Sequence, residues 1–283
     1  MRSAILFLVF AAVAAAQSDS YDRALDLYNR ADYDRAVAVL TEGSQDSRSL
    51  ELLGRCYIME ADYHRATDAL EKAVALDPEN SMTNLWLGRA YGRRAETSFA
   101  LSALSLAGKA RQSFQKAVQL DPGNREALDD LFAFYVDAPA FAGGGVDKAR
   151  ALLPVIERVD PTQYDFDIAR IALASKQYSA AEASMRRAIA AAPRRIGHML
   201  ELAKFLSGQG RFEESENTFR QAERVAPGAP RILFARAEAY VQSKRNLSQA
   251  RELLKKYLEE SKLTPDDPSR ADALRLLRKA EGD

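Results

Sequence analysis

The stretch Ser47–Asn80, SRSLELLGRCYIMEADYHRATDALEKAVALDPEN, decides how this chain folds. Leu50, Leu53, Gly54 and Tyr57 recur at helical spacing and predict one amphipathic helix. Asp62-Tyr63 marks a turn, after which Ala66, Leu70 and Ala73 line one face of a second helix. Asp77-Pro78 ends that helix, because the residue before a proline is pushed out of the α region. The unit is a pair of helices in 34 residues.

Most of the chain is made of edited copies of this unit. Upstream, Asp32-Tyr33, Ala36 and Leu40 reproduce Asp62-Tyr63, Ala66 and Leu70. Downstream, Leu87, Gly88 and Tyr91 restate Leu53, Gly54 and Tyr57, and Ala110, Phe114, Ala117 and Asp121-Pro122 close the third copy. That copy is ten residues too long, since Pro78 and Pro122 lie 44 positions apart. The surplus falls around Thr97–Ala107, TSFALSALSLA, which carries no charge and no proline. Lengthening both helices by about a turn and a half each would absorb it, so 97–107 is expected to be a projecting hairpin.

The fourth copy, Arg125–Pro161, carries Leu128, Leu131 and Tyr135 and an expanded turn over 137–145, DAPAFAGGG. Pro139 ends one helix there, the glycines permit positive φ, and Pro154 is expected to kink the next helix. Three further copies follow, with Ala169, Ala181 and Met185; Ala203, Phe212 and Phe219; and Ala237, Tyr240 and Leu254. Thr264-Pro265-Asp266-Asp267-Pro268 breaks the array, and a last amphipathic helix within 264–283 is expected to begin at a Ser269 or Asp267 cap.

These recurring positions closely resemble the tetratricopeptide repeat. The resemblance spans roughly residues 21–283. It implies an all-α, right-handed superhelical solenoid of about seven repeats over 17–263, with a C-terminal capping helix. It also implies that the protein holds partners rather than transforming substrates. The expanded turn looks, in addition, like that of a group of exported bacterial tetratricopeptide-repeat proteins of undefined function.

Charge does not point to nucleic acid, since Lys+Arg and Asp+Glu both number 40 among the 283 residues. Residues 1–16 read as a secretory signal peptide: Arg2 supplies a positive start, Ile5–Val13 an apolar run, and Ala14-Ala15-Ala16 a small-residue end. The mature protein is therefore expected in the periplasm or outside the cell, with no transmembrane segment after signal cleavage. Cys56 is the only cysteine, so no internal disulfide is possible, and its place on a packed helix predicts an inert thiol.

With only His64 and His198, no HExxH and no nucleophile elbow, no catalytic residue, metal or cofactor is expected. The triple glycine 143–145 lacks the strand and the Gly-Lys-Ser/Thr of a phosphate loop. The expectation is a non-catalytic scaffold for a protein or peptide, with two candidate surfaces. Arg55, Arg89, Arg170 and Lys204 each follow the small residue of a first helix, with Arg93 one turn beyond Arg89. That shared phase predicts a basic stripe along a concave groove, suited to an acidic peptide or a C-terminal carboxylate. The second surface is the projecting hairpin, where Phe99, Leu101, Leu104 and Leu106 would form an apolar patch for a cell-envelope assembly partner. An enzyme or small-ligand site in the groove is the remaining alternative.

Overall fold

The computed structural model describes residues 20–260 and 262–282. The signal-peptide expectation for 1–16 therefore lies outside the described residues. Those residues contain 15 α-helices and no strand. They divide into two compact units, one ending at Asp121 and the other beginning at Pro122.

The first unit holds three helix pairs: α1 (20–29) with α2 (Tyr33–Glu42), α3 (Ser47–Met59) with α4 (Tyr63–Leu76), and α5 (Ser81–Glu96) with α6 (Ala100–Leu120). The second holds α7 (Arg125–Asp137) with α8 (Val146–Val159), α9 (Pro161–Ala174) with α10 (Tyr178–Ala191), and α11 (Ile196–Gly208) with α12 (Phe212–Val225). It continues with α13 (Pro230–Gln242), α14 (Leu247–Glu259) and the terminal α15 (Arg270–Glu281).

Local chemistry sets these boundaries. The side chains of Asp46, Asp62, Asn80, Asn124 and Asp160 each accept a hydrogen bond from a backbone amide in the first turn of α3, α4, α5, α7 and α9. Ser269 caps α15 by accepting from the Asp272 amide at 3.0 Å, while Asp267 accepts from Thr264 instead. Within pairs, the chain reverses through a residue in the left-handed region: Ala31, Ala61, Lys176, Gly210 or Lys244. The next amide then bonds back five residues, as from Asp62 to the Tyr57 carbonyl at 2.9 Å and from Arg211 to Leu206 at 2.9 Å. The turn is thus one residue earlier than Asp62-Tyr63, and only one of its five copies uses glycine.

Packing within a pair depends on small residues. A Cβ on Gly54 would lie 2.4 Å from Cγ of Leu70, and one on Gly88 would lie 2.5 Å from Cε1 of Phe114. These two glycines let α3 approach α4 and α5 approach α6. In the second unit Ala169, Met185, Leu202 and Leu206 form one buried cluster, which joins two successive pairs. Cys56 has no exposed surface, and burial pushes its thiol up to about 12.

One expectation needs correction. The surplus of the third copy is not shared equally: relative to α3 and α4, α5 gains three residues and α6 gains seven. Pro154 lies inside α8, which runs from Val146 to Val159. The expanded turn after α7 forms a short 3-10 segment, Ala140–Ala142. Any side chain at Gly144 would strike the Ala138 carbonyl, at 1.8 Å, and Gly145 has φ of 148°.

Candidate partner-binding site

In the first unit, the first helices present an alternating stack of aromatic rings and guanidinium groups. Arg55 on α3 lies 4.6 Å from the Tyr28 ring and 4.7 Å from the Trp86 ring. Arg89, one turn after Trp86 on α5, covers that indole at 4.4 Å. Trp86 is therefore held between two cations, an arrangement in which the ring quadrupole offsets positive charge. Glu51 sits 3.7 Å from Arg55 and accepts a 2.7 Å hydrogen bond from the Thr83 hydroxyl. Arg93 donates to the Tyr63 hydroxyl at 3.0 Å and to Glu96 at 3.1 Å.

The second unit presents Arg170 and Lys204. Arg170 pairs with Asp137 at 3.2 Å, stands 4.0 Å from Asp167 and covers the Phe132 ring at 5.3 Å. Lys204 bridges Glu201 at 2.6 Å and Glu238 at 3.0 Å. Burial alone would lower its pKa, but the two carboxylates outweigh it and hold the ammonium charged. Arg170 lines a cavity of about 700 Å³ together with Val136, Phe166, Leu173, Met185 and Glu201. Both polar and apolar groups face it, which suits a peptide side chain.

Arg55, Arg93, Arg170 and Lys204 thus have partners on neighbouring helices, and Arg89 has Trp86 on its own helix. Several of those partners lie close to one repeat length away: Asp137 precedes Arg170 by 33 residues and Glu238 follows Lys204 by 34. Opposite charges at that separation are a signal present in the sequence. Sequence reasoning misses Trp86 and Tyr28 as partners of the arginines; an aromatic one turn before Arg89 is the trace they leave.

Beside Arg170 the second unit buries an unexpected carboxyl cluster. Asp167 has no exposed surface; burial, with Asp129 and Asp160 nearby, pushes its carboxyl up to about 7, against the opposing Gln163 and Arg170. Asp160, the cap of α9, behaves in the opposite way. Burial would raise it, yet the Thr162 hydroxyl, Arg195 and Arg125 bring it down to about 2.

Phe99 and Leu101 are 93% and 88% exposed, and Leu104 is 42% exposed. Leu106 is the correction: it is only 9% exposed, one turn before Ala110 on the face of α6 that also carries Phe114. The extension of α6 therefore buries its own inner row and leaves only the tip uncovered.

Comparison with known proteins agrees with this architecture. Family profiles described as tetratricopeptide repeat match residues 47–80 and 200–268. A tetratricopeptide repeat protein from Parabacteroides merdae is 14% identical with a TM-score of 0.61, over 94% of this chain and 99% of that one. A thermophilic protein of the same kind from Thermus thermophilus is 20% identical with a TM-score of 0.56, over 68% of this chain and 99% of that one. At such identities the likeness establishes the fold. No curated protein matches the sequence.

Proposed function

We propose that this chain, which matches tetratricopeptide-repeat profiles over residues 47–80 and 200–268, is an exported, non-catalytic scaffold holding a protein or peptide on the faces of its first helices. The cavity beside Arg170 carries the reading most directly. It offers half-buried apolar walls, Val136, Phe166 and Leu173, next to a guanidinium, which is what a short segment with mixed side chains requires. Arg55, Arg89 and Arg93 in the first unit, and Arg170 and Lys204 in the second, supply positive character for an acidic partner. Export to the periplasm or beyond rests on the first sixteen residues. No helix among the described residues is long and apolar enough to cross a membrane.

A second reading places an assembly partner on the hairpin, and the exposure of Phe99 and Leu101 favours it. One experiment separates the two. Peptides selected on the protein from a random-peptide phage library are titrated into Arg170→Gln and into the double variant Phe99→Ser with Leu101→Ser. Groove binding predicts that Arg170→Gln weakens them by roughly tenfold while the hairpin variant binds normally. The converse pattern transfers the function to the hairpin.

A further inference from the structure

The starts of α7, α9, α11 and α13 meet around a second cavity in the later unit, of about 460 Å³. Arg125, Arg194, Arg195 and Arg231 line it, none of which belongs to the stripe along the first helices. Carboxylates pair with three of them. Asp160 alone serves both Arg125, at 3.2 Å, and Arg195, at 2.9 Å. Asp267 stands 3.6 Å from Arg231, and Glu201 is tied to Lys204. Asp129 on the cavity wall adds a further carboxyl, which burial pushes up to about 6. Arg194 is exposed and has no hydrogen bond or ion pair among the described residues.

The floor of the cavity is rigidly built. Gln163 accepts from Arg195 at 3.2 Å and lies 3.4 Å from Nε2 of His198, whose ring stacks on Phe166 at 4.6 Å. The first turn of α11 has no side-chain cap, and a Cβ on Gly197 would meet nothing within 4 Å. An approaching anion therefore finds open backbone at the positive end of a helix as well as the guanidinium groups. Phe166 and Glu201 line both this cavity and the larger one beside Arg170, so the two adjoin along α9 and α11.

We propose that the Arg125–Arg194–Arg195–Arg231 cavity anchors a carboxylate of a bound peptide whose neighbouring apolar side chain enters the cavity beside Arg170. The proposal rests on the groove reading above and adds the chemistry of the ligand. Arginine forks match a carboxylate in two-point contact, and Arg194 has no ion pair among the described residues to give up before making one.

The test uses the phage-selected peptides, titrated by calorimetry into the whole protein, Arg194→Glu and Arg125→Gln. Arg194 is exposed and unpaired, so its substitution leaves helix content unchanged by circular dichroism. The expected peptides carry Asp, Glu or a free C-terminus beside Phe, Leu or Met. They bind Arg194→Glu roughly tenfold or more weakly and lose affinity as salt rises. Amidating the C-terminus tells the two carboxylate sources apart: lost affinity assigns the terminus, and retained affinity with loss on Glu→Gln assigns a side chain. Selected peptides without a carboxylate, or indifferent to both substitutions, overturn the proposal; if Arg170→Gln still weakens them, the groove reading stands. Selection of no peptide removes both.

Discussion

Asp167 and Asp160 show how position within the fold, rather than residue type, sets the chemistry of a carboxyl group. Asp167 ionises near 4 in an unfolded chain and near 7 in the fold, so folding takes up a proton between those values. Its contribution to stability is full below about pH 4 and is lost as pH rises through 7. Asp167→Asn should therefore stabilise the protein at pH 8 by on the order of 2 kcal/mol and have little effect near pH 4, in urea melts at the two pH values. An equal effect at both would show that Asp167 is not held protonated. Asp160, at about 2, works the other way: its stabilisation is present above about pH 4 and disappears as pH falls towards 2. Nothing in QYDFDIAR separates Asp167 from Asp165, which pairs with Arg187 at 2.9 Å. The distinction is made by Asp129 on α7 and by burial under neighbouring helices. The arginine positions were legible, because each follows a small residue in register; the groups facing them were not.

Among elements, the α5–α6 hairpin departs furthest from the repeat. Its extra length was legible as a spacing anomaly between two prolines. How that length is shared was not, because no residue in TSFALSALSLA marks a turn, and the reversal instead falls at Thr97–Phe99. Two glycines on α5 give a matched test of close packing. Gly88→Ala forces the Phe114 ring aside and should destabilise by about 1–3 kcal/mol, whereas Gly92, with nothing within 4 Å of an added Cβ, should gain up to about 1 kcal/mol on becoming Ala. Denaturant midpoints of the two variants should move in opposite directions. Movement in the same direction would mean that helix propensity, not the approach of α6, governs both sites.

At the level of the whole chain, the repeat makes most contacts local in sequence, and that locality is why the fold could be read from one 34-residue stretch. It also predicts how damage spreads. Met185, buried in the cluster with Ala169, Leu202 and Leu206, should cost about 2–5 kcal/mol as Met185→Ala. Hydrogen exchange should then accelerate in α9, α10 and α11 and fade within the same unit toward α14. Uniform acceleration throughout that unit would instead indicate a single cooperative block. The candidate sites were less legible than the fold, since the 460 Å³ cavity gathers Arg125, Arg194 and Arg231 from three different copies. None of those residues occupies the phase of Arg55 and Arg89.

Trp86 has one further consequence. It is the only tryptophan in the chain, and it is clasped between Arg55 and Arg89 on a candidate binding face. The protein thus carries its own optical gauge. A ligand that draws either guanidinium away from the indole alters the emission of the first unit directly, while one that settles beside Arg170 has no second tryptophan to report it.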